Sequence, residues 1–195
     1  MRLKPYTIIL LLLLPVVSLS QEIIPAEKLR ASKEHQNTLT LFKEPQIFPA
    51  PNPKVEIYRV FISPTFYHAL SIRVERDGED YSLVAKYLSG EVGYDWGRLK
   101  GEKKRRLNEK EWRKLVDLIN RASFWTLPSK DKESEPNEKG EATICLDGTG
   151  WYLEGVSSGK YQMVDRYCPE SREFKAIGLY MVKLSKLGID ERTLH

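Results

Sequence analysis

The chain is poor in the residues that most enzymes and metalloproteins use for chemistry. Its 195 residues include only two cysteines and three histidines, and the histidines (His35, His68 and His195) are scattered along the sequence. None of them stands at a zinc-ligand spacing from a cysteine, so a Cys/His metal site is not predicted. The sequence also lacks a glycine-rich nucleotide-binding motif and a serine motif with a histidine partner. No cofactor is therefore expected.

Long apolar runs are missing after the first 20 residues. Residues 1–20 have the form of a signal peptide, because Arg2 and Lys4 precede an apolar stretch and small residues suit cleavage between Ser20 and Gln21. The apolar stretch is shorter than the roughly 20 residues of a membrane span. We therefore expect an exported protein, periplasmic or secreted, with no transmembrane segment in the mature chain. Retention of the leader as an anchor is the alternative.

The chain has almost no excess of positive or negative charge once the leader is removed. Loss of Arg2 and Lys4 reduces the 31 basic residues to 29, against 27 acidic residues, for a net charge of +2. So small a net charge does not predict nucleic-acid binding.

Two cysteines, Cys145 and Cys168, stand in the second half of the chain. An exported protein lies in an oxidising compartment, where a cysteine pair favours a disulfide. Closing a loop of this length stabilises a fold by about 3 kcal/mol in the chain-entropy description. Two free thiols are the alternative.

The composition of the chain changes near residue 55. Residues 21–54 are expected to form a flexible tether, since its end is crowded with prolines that favour extended chain. These are Pro45, Pro49, Pro51 and Pro53. A single domain is predicted over residues 55–189, followed by a C-terminal tail at 190–195.

The clearest helix signal runs over residues 107–128. Asn108 is a good N-cap, and Glu111 stands where a capping box requires an acidic residue. Apolar residues recur at i, i+3, i+4 and i+7 and form one stripe. The stripe consists of Trp112, Leu115, Val116 and Ile119. A second amphipathic helix is predicted from Pro169, ending before Gly188.

The remaining signals are strands. Asp77-Gly78 predicts a hairpin turn, in a register that places Val74 opposite Tyr81 and separates an apolar face from a charged one. A second hairpin spans residues 151–167. The elements together predict an α+β fold, with an antiparallel sheet of about six or seven strands and two helices packed on one face. The other face is expected to be open to solvent.

The second hairpin carries a family resemblance. The segment WYLEGVSSGKYQMVDRYCPE, with FW-x-LP upstream, is similar to a family of small exported bacterial proteins of unknown function with a W-x-L-E-G hairpin. The likeness covers residues 55–187 and implies an exported domain without an assigned activity. The residues that carry it are Trp112, Phe124, Trp125, Leu127, Trp151, Leu153, Glu154, Gly155, Tyr161, Asp165, Arg166 and Pro169.

The second hairpin also offers the strongest candidates for catalysis. A two-residue turn at Ser158-Gly159 makes Glu154 and Asp165 diagonal neighbours on one face. Paired carboxylates can serve as acid and base in a hydrolase, and His68 is a further candidate base. The alternative is a charged strand face balanced by nearby cations, with His68 a hydrogen-bonded histidine at the edge of the core.

A basic cluster gives the leading functional hypothesis. Residues 98–114 contain nine basic and three acidic residues. The cations expected on an edge strand are Arg98, Lys100, Lys103, Lys104, Arg105 and Arg106. Such a surface attracts an anionic envelope component or an acidic protein, although lysines also protect solvated edge strands from pairing. We therefore expect a non-enzymatic binding or interaction domain, with a hydrolase as the alternative.

Overall fold

The computed structural model describes residues 30–50, 52–130 and 145–194. Six strands form one antiparallel sheet in the order β4-β3-β2-β1-β5-β6. The strands are β1 (Glu56–Pro64), β2 (Leu70–Asp77), β3 (Asp80–Leu88), β4 (Leu99–Arg106), β5 (Thr149–Ser157) and β6 (Lys160–Tyr167). The predicted α+β class is confirmed, and so is the strand number.

Three helices accompany the sheet: α1 (Lys33–Phe42), α2 (Glu109–Arg121) and α3 (Arg172–Ser185). The capping box of Asn108 and Glu111 is present at the start of α2, as predicted. The last helix begins at Arg172 instead of Pro169, with Ser171 as its N-cap. It ends at Ser185, and the C-cap residue Lys186, with a φ of 51°, stops it before Gly188.

One face of the sheet is apolar and packs against α2 and α3; we call it the apolar face. Strand β1 contributes Tyr58, Val60 and Ile62, and the helices contribute buried residues such as Leu115 and Met181. The short helix at Glu191–Leu194 closes this core with Leu194, which is 1% exposed. The stretch predicted to be a C-terminal tail is therefore part of the packed domain.

The first hairpin turns one residue later than predicted, which moves each partner on β3 by two residues. Its turn residues are Gly78 and Glu79, and Val74 lies opposite Leu83 instead of Tyr81. Gly78 has a φ of 62° at the first turn position, which suits a type II′ turn. A shift of two residues keeps every side chain on its face, so the predicted separation of apolar and charged faces survives.

The second hairpin has the predicted register. Tyr152 lies opposite Asp165, and Glu154 lies opposite Met163. Its two turn residues both have positive φ, as a type I′ turn requires. The predicted disulfide is also confirmed, since Cys145 and Cys168 lie at bonding distance beside this hairpin with their Cα atoms 6.5 Å apart.

The second face of the sheet is covered as well, which corrects the expectation of a solvent-exposed face. Residues 30–48 cross it, and Leu39, Phe42 and Ile47 are buried there. The packed structure therefore begins upstream of residue 55, inside the stretch predicted to be a flexible tether. The sequence misled because several side chains on this face are charged, and charged strand residues usually indicate exposure to solvent.

Some predictions concern other parts of the chain. The leader predicted at residues 1–20 lies outside the described residues. Within the described ranges, no helix is both long enough and apolar enough to cross a membrane.

Candidate functional site

Glu154, the first predicted catalytic residue, lies at the centre of the covered second face and is 1% exposed. One carboxylate oxygen, Oε2, accepts hydrogen bonds from Nε and Nη2 of Arg59 at 2.7 and 2.5 Å. The other oxygen, Oε1, accepts one from the Tyr161 hydroxyl at 2.8 Å. Arg59 stands directly opposite Glu154 on β1, so the pair is a cross-strand contact fixed by the sheet register.

His35 approaches the same carboxylate from α1. Its Nε2 lies 3.2 Å from Oε1 of Glu154. Burial alone would raise the pKa of the Glu154 carboxyl, yet Arg59 and His35 hold that pKa well below its ordinary value. Glu154 is therefore ionised across the neutral range and is poorly suited to act as a general acid.

Arg59 also contacts a second carboxylate, that of Glu44. Arg59 faces Arg73 on β2, and like charges directly opposite destabilise a sheet. Glu44, just after α1, accepts from Arg73 Nε at 3.0 Å and lies 3.3 Å from Arg59 Nη1. Its other oxygen lies 2.7 Å from Lys86 Nζ. A single carboxylate from the N-terminal segment thus offsets three cations of the sheet.

These residues form one connected set, which we call the buried ionic network. Its members are His35, Glu44, Arg59, Arg73, Lys86, Glu154 and Tyr161. The buried carboxylates of Glu44 and Glu154 balance the charges of the two buried cations, Arg59 and Lys86. Arg73 has a second partner, because its Nη1 lies 2.7 Å from Oε2 of Glu75. The face that carries the network is called the ionic face below.

The sequence did not predict that Glu44, Arg59 and Lys86 belong to a buried ionic network. The one available signal was Arg59, which interrupts an otherwise apolar strand between Tyr58 and Val60. An arginine in the middle of a strand buried on both faces needs a buried carboxylate. Nothing in the local pattern indicates that one of its carboxylates comes from a segment upstream of the sheet.

The other predicted catalytic residues lie apart from this network. Asp165 is partly buried on β6, where Lys130 Nζ lies 3.7 Å from its carboxylate. His68 is exposed before β2, with Nδ1 2.9 Å from the Gly90 carbonyl oxygen. The three candidates therefore have separate partners. Among the described residues, no group of three or more His, Cys, Asp and Glu residues is suited to hold a metal ion.

A groove of about 370 Å³ opens at a different place, beside the start of α2. Tyr81 and Trp112 form part of its wall, together with Arg76 and Arg113. Neither Glu154 nor Asp165 lines this groove, so it does not collect the predicted carboxylates around a space for a substrate.

The six predicted cations lie on or next to β4, an edge strand of the sheet. We call this strand and the six residues the basic edge. Lys104 and Arg106 lie on the ionic face, with side chains 72% and 81% exposed, and pair with Glu102 and Asp80. Arg98 and Lys100 are exposed at the start of the strand.

Lys103 and Arg105 point to the opposite side of β4 and have a structural role. Lys103 donates to the carbonyl oxygen of Lys186 at 2.5 Å, and Arg105 donates to that of Leu184 at 2.7 Å. Cations at the end of a helix satisfy its last carbonyl groups and its dipole. The first of these contacts brings Lys186, the residue directly after α3, next to the basic edge, an addition that the sequence did not predict.

Comparison with protein-family models and with curated proteins found no match.

Proposed function

We propose that this protein is an exported, non-enzymatic binding domain that contacts an anionic partner through the basic edge. The partner is an anionic component of the cell envelope or an acidic protein. The observation that carries the proposal is the exposure of Arg98, Lys100, Lys104 and Arg106 along the edge strand of the sheet.

Electrostatics supports this surface over others on the molecule. The cations are concentrated along one strand, and the exposed Lys186, directly after α3, adds to them. Two exposed carboxylates, Glu102 and Asp80, neutralise part of the charge. A concentrated positive surface steers anions by its local field even when the net charge of the protein is small.

Export is supported by the leader at residues 1–20, by the disulfide, and by the resemblance to small exported bacterial proteins. Cleavage between Ser20 and Gln21 belongs to this proposal.

The hydrolase alternative has less support. Glu154 does not line the groove beside α2, and its carboxylate is engaged with Arg59 and Tyr161. A buried ion pair with every oxygen occupied is a structural arrangement, whereas a catalytic carboxylate must reach a substrate.

The proposal can be tested by retention on immobilised heparin. Changing four exposed cations of the basic edge to Gln should lower the salt concentration of elution, because the contact depends on exposed charges that salt screens. The four are Arg98, Lys100, Lys104 and Arg106; Lys103 and Arg105 are kept, since they hold the end of α3.

The matched control removes the same number of charges elsewhere. It carries Gln at four exposed cations far from β4, namely Lys54, Arg121, Lys160 and Arg172. The control should elute close to the parent. Equal elution of both variants would show that the basic edge is only a solvated strand, and the proposed function would then be wrong.

A further inference from the structure

We propose that the basic edge binds an acidic peptide segment in extended conformation, which adds to β4 as a seventh strand of the sheet, antiparallel to β4. This inference rests on the proposed function and specifies its partner. It requires three properties of β4: a free hydrogen-bonding edge, freedom from covering chain, and side chains that select for negative charge.

The hydrogen-bonding edge follows from the register of β3 and β4. Leu107 donates its backbone N–H to the carbonyl oxygen of Tyr81 at 2.9 Å. In an antiparallel pair, hydrogen-bonded residue pairs alternate with pairs whose groups point away. The backbone groups of Glu102, Lys104 and Arg106 therefore point outward from the sheet.

The two edges of the sheet differ in how far other chain segments occupy them. At β6, Asp165 donates its N–H to the Ser129 carbonyl oxygen at 2.7 Å, and Lys130 forms a bridge with the same strand. In the described part of the chain, β3 is the one strand that pairs with β4. A run of outward backbone groups is thus available on β4, whereas β6 is occupied in its centre.

The side chains decide what kind of strand can bind there. Lys104 and Arg106 project on the ionic face, where Glu102 supplies one opposing charge. A basic strand, or β4 of a second copy, would place like charges opposite each other and would be repelled. An acidic strand gains cross-strand ion pairs in addition to backbone hydrogen bonds, so charge complementarity selects it.

The geometry also fixes which residues of the ligand must be acidic. Residues that exchange hydrogen bonds with Lys104 and its outward-facing neighbours have their side chains on the ionic face. In a peptide of alternating Glu and Thr, the Glu residues therefore occupy this face, and the Glu amides are the ones that bond to β4. The Thr amides point away from the protein.

This prediction can be tested by fluorescence anisotropy with a labelled eight-residue Glu-Thr peptide, matched to the length of β4. N-methylation of the Glu amides should weaken binding by about tenfold or more, because two or three hydrogen bonds are lost. N-methylation of the Thr amides is the matched control and should leave the affinity close to that of the parent peptide. A Gln-Thr peptide should bind weakly or not at all.

A protein variant provides an independent measurement. Lys104→Pro removes an outward N–H, which an edge strand tolerates, and Lys104→Gln removes only the charge. Lys104→Pro should bind the peptide more weakly than Lys104→Gln, with melting temperature reporting on the fold of each.

The outcomes separate this inference from the proposed function. If both methylated peptides bind equally well, no strand is added, and the inference is wrong even when heparin retention still depends on the basic edge. If the Gln-Thr peptide binds as tightly as the Glu-Thr peptide, the selection for acidic strands is wrong. If heparin retention does not depend on the basic edge, the proposed function itself is wrong, and this inference loses its basis.

Discussion

The two faces of the sheet are buried by different kinds of interaction. The apolar face packs aliphatic and aromatic side chains against α2 and α3, and its stability grows with the apolar area removed from water. The ionic face buries charges under the N-terminal segment, where Glu44 and Glu154 hold Arg59 through directed contacts. An apolar face tolerates changes of similar volume, whereas a buried ionic face depends on every partner being present.

The largest expected effect comes from removing the central cation. Arg59→Met leaves Glu154 and Glu44 buried with fewer cations and should lower the free energy of unfolding by about 3–5 kcal/mol. Urea denaturation measures this change. The double variant Arg59→Met, Glu154→Leu removes both members of the pair and should lose less stability than the two single changes added together. Strict additivity would contradict the network described here.

An intermediate effect is expected from acid. The pKa of Glu154 lies below its ordinary value of 4.5 in the folded protein, at about 2. The stabilisation is therefore present above pH 4.5 and is lost as the pH falls toward 2, by on the order of 2 kcal/mol. The groups that face this carboxylate are Arg59, His35 and Tyr161.

Urea denaturation at a series of pH values measures the acid effect. Glu154→Gln should flatten the pH dependence of the free energy of unfolding between pH 4.5 and pH 2, although this variant is less stable than the parent at neutral pH. A parent-like acid transition in Glu154→Gln would show that other carboxyl groups cause the loss.

The smallest effect is expected on the apolar face. Ile72→Val removes one buried methylene group next to Val60 and should cost about 1 kcal/mol. The loss should be the same at pH 7 and at pH 3, because Ile72 lies within the apolar core cluster and its methylene group carries no charge. A clear pH dependence of this change would mean that the two faces do not act independently.

The sequence predicted the apolar face well and the ionic face poorly, for a physical reason. Periodicity reports which residues of one element share a side, so it located the stripe of α2 and the two faces of the hairpins. The partner of a buried charge is set by tertiary contact. Glu44 and Arg59 are 15 residues apart, Arg59 and Glu154 are 95 apart, and no local pattern connects them.

The candidate site shows the same limit. The basic edge was predicted because its cations are adjacent in sequence, and the structure places them on an edge strand as expected. Their division into two roles was not predictable, since the carbonyl groups that receive Lys103 and Arg105 belong to the end of α3. Which backbone groups of β4 point outward, and which point toward β3, likewise depends on the register between these two strands.

The place of β1 in the sheet has a consequence for how the chain reaches its native state. Strands β1 to β4 can form a meander from neighbouring segments, but the second edge of β1 pairs only with β5, which follows much later in the chain. Between Ile57 and Ile62, strand β1 is apolar on both faces apart from Arg59. Until β5 arrives, this strand exposes an open, apolar edge of the kind that joins other chains. The 149–167 hairpin is therefore the closing piece of the sheet, and a chain that stops short of it carries its most aggregation-prone strand uncovered.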